Sequence, residues 1–571
     1  MIEFIRMENY SEVRKHLEYP KLTMFQMIER MADAHPNFTA YEFYGKKTSY
    51  RQFVARIERA ARAFRASGIR RGDAVTICMP NTPQALDCFY ALNRIGAICN
   101  MVHPLSAQKE ITFYLNFSES RMILTMDMFY EKVDAAVQEA ENPVTILTAR
   151  MQDELPFFKS IGFAVTQGRK SRKYPNTDNG LLWTSFLAKG RPTIKLPAPI
   201  YDPTATAAIL YSGGTSGTPK GICLSDQNFN ATALQATEAI QQPLGPGDTM
   251  LSCMPVFHGF GLGINIHTVL INGAECILMP TFNGKSYADM LIKKKPNYIA
   301  GVPTIFEALL HIEELKDADL SCLKGMFCGG DALSVELKKK VDAFLREHNA
   351  TIQVREGYGL TECVTASCLT PRDTYRENSI GLPFPDTEYC VVRTGTDEEL
   401  PPMEEGEIIL KGPSVMIKYL KNPEETAQTL RKMPDGDTWL FTGDLGYMDA
   451  DGYVYFKQRI KRMIITNGYN VYPGPIENII DGVDEVAYSC VIGVKDPRRM
   501  QRVRAYVVLH DGIEPSDELK EKIMKELSLH VAKYALPKEI IFRDELPKTL
   551  VGKVAYRKLE EEANAEEDAK S

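Results

Sequence analysis

The chain has 571 residues, with 67 basic against 74 acidic side chains and ordinary apolar and charged fractions, so it can bury a large core and should divide into at least two domains. Its formal net charge of −7 argues against a predominantly electrostatic nucleic-acid binder, and no nucleic acid is expected as a partner. Twelve cysteines are present without a C-x-x-C pair, which favours reduced thiols over a disulfide framework or structural zinc.

The first eight residues carry acids where a leader peptide would be basic, and no apolar run approaches ~18 residues; a cytoplasmic enzyme is the expectation. Over 21–210, helix-like periodicity at 50–67 and 82–94 alternates with apolar runs at 74–78 and 121–125, the pattern of alternating α/β layers. The basic run 169–173, between Phe157 and Trp183, suits either a solvated loop or peripheral contact with an anionic membrane. Strand-like runs return at 276–279, 298–302 and 325–328, giving two doubly wound α/β halves. Short strands and turns over 387–455 predict a small β-rich subdomain, with Asp449-Ala450-Asp451-Gly452 as a hairpin turn. After Arg459 the pattern restarts, with strands at 486–494 and 504–509 and a helix near 516–533. The predicted organisation is α/β: an N-terminal domain over 1–459, a small α+β C-terminal domain over 460–559, and an acidic tail over 560–571, expected to be frayed or disordered.

The densest chemistry follows the apolar run 207–211. Ser212-Gly213-Gly214-Thr215-Ser216-Gly217-Thr218-Pro219-Lys220-Gly221 combines glycines that turn backbone N–H groups toward an anion, hydroxyl donors and one lysine charge. A Walker loop is excluded, because Lys220 follows Pro219 rather than glycine. A hydrolase elbow misses by one residue, since Thr218 follows Gly217. A phosphate cradle for a nucleotide remains, against the simpler reading of a flexible Ser/Gly/Thr turn.

Further motifs follow in order: Pro255-Val256-Phe257-His258-Gly259, Gly329-Gly330-Asp331, Gly357-Tyr358-Gly359-Leu360-Thr361-Glu362, Thr442-Gly443-Asp444-Leu445-Gly446, Arg459-Ile460-Lys461-Arg462, Asn467-Gly468-Tyr469-Asn470-Val471-Tyr472-Pro473, Pro547-Lys548-Thr549 and Gly552-Lys553. Together with the glycine loop, this succession resembles the adenylate-forming superfamily of acyl-CoA synthetases, luciferases and adenylation domains, over nearly the whole chain.

The resemblance implies a two-step reaction, in which a carboxylate attacks the α-phosphate of ATP and the acyl adenylate then passes to CoA. It places Ser212, Gly213, Gly214, Thr215, Ser216, Gly217 and Lys220 around the phosphates, Glu362 on Mg²⁺ and Thr361 on the α-phosphate. Tyr358, flanked by Gly357 and Gly359, would stack on adenine, with Gly329, Gly330 and Asp331 alongside. Asp444 would accept hydrogen bonds from the ribose, assisted by Arg459, and Tyr455 joins the same nucleotide site. Lys553 would bridge carboxylate and α-phosphate during adenylation, a charge-directed donor of a kind whose loss costs about 3–4 kcal/mol in the transition state. Lys461 would be the hinge of a mobile C-terminal domain, and Gly468 would face the pantetheine path.

His258 and Gly259 would line the acyl entrance, where Gly259, Gly261 and Gly263 leave room for a slim chain. By the same resemblance, amino-acid-activating members place an aspartate near the position of His258 to pair with the α-ammonium; its absence here disfavours an amino acid. The run 467–473, Glu477 and Tyr19-Pro20 resemble fatty acid–CoA ligases, with aryl- or steroid-acid ligases and carrier-protein loading as alternatives, and a noncatalytic nucleotide binder as the reading from another class. Three positions depart from the family: Gly213 for a hydroxyl residue, Lys418 for a common glycine, and Arg498-Arg499-Met500-Gln501-Arg502 for a Gly-Glu pair. The extra arginines would suit CoA phosphates.

Overall fold

The structure is a computed structural model that describes residues 13–156, 180–212, 219–462, 464–466, 469–471, 473–496, 499–548 and 554–570. Among the described residues two large sheets form the N-terminal domain. In the first, Ala74–Cys78 lies between Ile98–Met101 and Met122–Met126 in parallel, Thr145–Ala149 and Gly180–Leu182 extend one side, and the antiparallel hairpin Ala208–Ser212/Lys220–Leu224 extends the other. In the second, Glu275–Leu278, Thr249–Ser252, Tyr298–Gly301, Gly325–Cys328 and Val354–Tyr358 run parallel in that spatial order. The hairpin Thr39–Phe43/Lys46–Ser49 crosses from the first half of the chain to close this second sheet beside Glu275–Leu278, so the two halves are less separate in sequence than periodicity alone suggests.

The helices form where the sequence caps them. Ser49 and Gln52 make a reciprocal capping box for Tyr50–Ala66, and Ser225 with Asn228 does the same for Asp226–Ala239. Pro83–Arg94 begins on Thr82 with Pro83 in its first turn and is buried at every position but the last. A helix buried all round belongs to the interior; its apolar residues join one core with side chains of both sheets.

Glu388–Val392, Gly406–Lys411, Leu430–Lys432, Thr438–Met448 and Val454–Arg459 make the expected antiparallel subdomain, with 449–452 forming the turn between the last two. In the C-terminal domain Val486–Asp496 and Met500–Leu509 form a long hairpin that Glu539–Phe542 joins in parallel, and Pro473–Asp481 and Asp517–His530 pack a separate core against it. The acidic tail differs from expectation. Residues 560–570 form most of a helix, Tyr556–Lys570, whose Leu559 and Ala563 are buried and whose Glu562, Glu566 and Glu567 pair with Arg543, Arg504 and Arg502. Local composition missed these distant cations, which neutralise the acids that would otherwise repel one another. No helix among the described residues is long and apolar enough to cross a membrane.

Candidate active site

A cavity of about 970 Å³ opens where the strand ends of the second sheet meet the first hairpin, the β-rich subdomain and the C-terminal domain. At its mouth, Ser212 and Lys220 face each other across the hairpin register. The loop between them, Gly213, Gly214, Thr215, Ser216, Gly217 and Thr218, lies outside the described residues, as do Lys553 and Gly468 and the basic run 169–173. The Lys220 ammonium pairs with Glu425 and lies 4.8 Å from the Tyr419 ring centre. The Tyr419 hydroxyl donates to Glu362 Oε1 at 2.8 Å, so two carboxylates, a phenol and an ammonium form one connected polar group.

Glu362 is aimed by the short turn Thr361–Cys363, whose next residue, Val364, has φ +65°. That conformation is costly for a β-branched side chain and persists because its surroundings hold it. A Cβ on Gly259 would stand 1.7 Å from the Val364 carbonyl oxygen, and one on Gly359 would stand 1.5 Å from that of Thr365. Glycine at both positions therefore admits the neighbouring backbone. This corrects the expectation for Gly259: the space beside it is filled by Val364, and that beside Gly261 by the Pro255 carbonyl, rather than left for a substrate.

His258 does line the cavity, and its Nδ1 accepts the Phe260 backbone N–H at 3.2 Å, which leaves the neutral ring's proton on Nε2. The following segment, Phe260–Thr268, is wound as a π-helix, a widened turn frequent at functional sites.

Across the mouth, Gly329, Gly330, Gly357, Tyr358 and Gly359 converge from two adjacent strand ends. Gly330 has φ +85°, and a Cβ on Gly329 would approach the Gly357 carbonyl to 3.1 Å, so the pair keeps this wall thin. The Tyr358 hydroxyl donates to Asp444 Oδ2 at 2.6 Å, and Arg459 Nε lies 3.6 Å from Asp444 Oδ1. Burial, with the Asp444 charge beside it, holds the Tyr358 hydroxyl well above its usual range and therefore protonated.

Three predicted nucleotide-site residues stand apart from the cavity wall, the first being Asp444, which is buried against Tyr358 and Arg459. Asp331 is exposed and bonds the Ala332 N–H. Tyr455 stacks on Tyr447 at 4.5 Å and donates to Asp449, and neither it nor Asp331 belongs to the cavity wall. Tyr419, Glu425 and Arg557 do line the wall and were not singled out from sequence; only their placement after assembly marks them. Lys418 tolerates its unusual position because it is exposed on the edge strand Lys418–Tyr419. Arg502 is held by Glu539 and Glu567, so one of the arginines expected to suit CoA phosphates is already paired.

Inward from the mouth the wall turns apolar. Ala236 and Ile240, from the helix Asp226–Ala239 and its end, line the cavity together with Tyr298, Phe327 and Leu369. A charged mouth that opens into a deep apolar arm describes an enzyme joining phosphate chemistry to an apolar acid. Residues 28–420 match the AMP-binding enzyme family and residues 475–553 match the AMP-binding enzyme C-terminal domain; the chain belongs to this family. It is 34% identical over 97% of its length to the long-chain-fatty-acid–CoA ligase of Bacillus subtilis (strain 168), 96% of which is covered. The enzyme of the same name from Salmonella typhimurium is 30% identical, with 96% of each chain covered. The crystal structure of ATP-bound MatB from Rhodopseudomonas palustris superposes with a TM-score of 0.80 at 26% identity, covering 95% of this chain and 99% of that one.

Proposed function

We propose that the protein is an ATP-dependent fatty acid–CoA ligase, forming acyl-AMP and pyrophosphate from a carboxylate and ATP, then acyl-CoA and AMP from the adenylate and CoA. The continuous cavity carries this reading: Lys220 and Glu362 stand at the mouth, and the apolar arm begins at Gly329 and Gly357. A carboxylate and a triphosphate repel each other, so the first step needs charge neutralisation and fixed in-line orientation more than covalent chemistry.

Lys220 releases Glu425 to meet the β- and γ-phosphates, together with the glycine and hydroxyl loop 213–218. Asp444 accepts from the ribose, and Tyr358 and the glycine wall enclose the adenine. His258 borders the reacting carboxylate, and the arm takes the alkyl chain. Glu362 offers one carboxylate beside the Tyr419 phenol, and no cluster of three or more metal-binding side chains occurs among the described residues. That fits Mg²⁺ held by one carboxylate and the substrate phosphates rather than by a protein cage; once bound, it would neutralise charge on the triphosphate. Lys553 supplies the ammonium for adenylation.

The test is mass spectrometry of products from the purified protein with Mg-ATP, CoA and a panel of fatty and aromatic acids. Acyl-CoA species from the fatty acids are expected. Aromatic thioesters alone would favour an aryl-acid ligase, adenylate without thioester would favour a carrier-protein acceptor, and nucleotide binding without AMP release would overturn the enzymatic reading. With Lys553→Ala, conversion of fatty acid to adenylate should be lost while supplied acyl adenylate still yields thioester; equal loss of both steps removes the proposed role.

A further inference from the structure

A second, smaller cavity of about 340 Å³ is lined by Gln242, Lys324, Gly325, Gln353, Arg355 and Tyr375 among others. Strand alternation shows what separates the two. Phe327 and Arg355 are direct partners on the adjacent parallel strands Gly325–Cys328 and Val354–Tyr358, and residues two apart on a strand share a face. Two positions onward, Gly329 and Gly357 line the large cavity; two positions back, Gly325 and Gln353 line the small one. Phe327 belongs to the wall of the first cavity and Arg355 to the wall of the second. The pair therefore crosses the path along the sheet face.

The sequence builds this partition deliberately on both sides. A Cβ on Gly325 would stand 2.8 Å from the Phe327 ring, so glycine there allows the ring to lie across the strand, nearly parallel to Tyr298 at 6.4 Å and 10°. Behind the ring, the buried Arg355 guanidinium lies 5.7 Å from its centre. Its Nη2 donates to the Ala239 carbonyl at 2.8 Å, Nη1 to that of Ile240 at 2.6 Å and Nε to that of Thr370 at 2.7 Å. Arg355 thus caps the C-terminal end of the helix Asp226–Ala239, where a cation is favoured, and ties it to the sheet. Ala236 and Ile240 at that same helix end line the arm. One side chain consequently fixes both the width of the arm's end and its floor, while Phe327 screens the charge from an apolar occupant.

We propose that the Phe327–Arg355 pair is the end wall of the acyl arm and sets the longest acid the enzyme accepts. The inference rests on the assignment of this arm to the fatty acyl chain. Arg355→Ala joins the two cavities; Phe327→Trp thickens the wall on the substrate side. The measurement is kcat/KM for a 20-carbon acid divided by that for a 12-carbon acid within each enzyme, a ratio unaffected by the fraction of protein folded. The ratio should rise about tenfold in Arg355→Ala and fall about tenfold in Phe327→Trp, the effect of roughly two methylenes admitted or excluded.

Loss of activity toward both acids in equal proportion, with the wild-type ratio retained in both variants, overturns the wall. Should Arg355→Ala fail to fold by thermal melting, the Phe327→Trp ratio decides alone. A wild-type enzyme that converts neither acid overturns the acyl assignment itself, and the end-wall proposal with it.

Discussion

The Lys220 ammonium is engaged by Glu425 on the helix Pro423–Thr429. The proposed phosphate role therefore begins with an exchange of one anionic partner for another. Both side chains are partly exposed, so the pair is worth about 1 kcal/mol at most. Glu425→Gln should tighten ATP by up to about fivefold on that scale and leave AMP, which lacks the β- and γ-phosphates, nearly unchanged. Calorimetric titration with both nucleotides checks it; equal tightening of AMP would place the competition elsewhere. Glu356 is a second informative residue, because its partly buried carboxylate accepts the Leu333 N–H at 3.1 Å beside the glycine wall. Burial raises its pKa from 4.5 to about 7 against the lowering influence of that hydrogen bond and of Lys338. A carboxyl with a raised folded pKa binds more protons folded than unfolded between those values, so its contribution is complete below 4.5 and is lost as pH rises toward 7. Glu356→Gln keeps the acceptor and removes the titration. Its Tm relative to the parent should therefore improve from pH 5 to pH 8, and a constant difference would exclude the effect.

At the scale of elements, strands and helices were legible where pattern and caps agreed. Tyr50–Ala66, Ala74–Cys78, Pro83–Arg94, Tyr298–Gly301 and Gly325–Cys328 lie within two residues of the ranges their periodicity predicts. What sequence did not disclose was which pieces meet: the Thr39–Ser49 hairpin on the second sheet, the docked acidic helix, and Tyr419 against Glu362. Such contacts depend on assembly rather than local period. Gly259 and Gly261 beside His258 show the difference sharply, since their composition suggested open space while packing fills it with backbone. Gly359→Ala tests this reading. Its Cβ would meet the Thr365 carbonyl at 1.5 Å, so the Thr361–Cys363 turn must move and carry Glu362 with it. A shift near 1 Å at a reacting centre can cost about 10²-fold, so pyrophosphate release should fall by roughly that factor while circular dichroism retains the fold. Gly245→Ala is the control, because its nearest neighbour would lie 3.8 Å away; similar losses in both variants would mean that the close approach at Gly359 is unimportant.

For the whole molecule, the two steps place unlike demands on one mouth. Val554, Ala555, Tyr556 and Arg557 bring the C-terminal domain into the cavity wall, which suits the adenylation role proposed for Lys553 but leaves CoA to approach a covered site. Relief by rotation requires a joint with firm structure on each side. Arg459 ends the strand Val454–Arg459 and lies beside Asp444 in the N-terminal domain, whereas Arg462 pairs with Glu477 and lies 4.9 Å from the Tyr556 ring centre in the C-terminal one. Between these anchors runs the short turn Ile460–Arg462, so backbone rotation at 460–461 would turn one domain against the other without breaking either ion pair. Proline at 461 fixes φ near −65° and restricts the residue before it. Lys461→Pro should therefore preserve adenylate formation within about twofold while slowing thioester formation from supplied acyl adenylate by roughly tenfold or more, an increase of at least ~1.4 kcal/mol in its barrier. Rapid-quench assays of each half-reaction separate the outcomes. Full thioester formation in the variant would rule out this joint as the pivot, and equal slowing of both steps would point to damage at the shared cavity instead of restricted rotation.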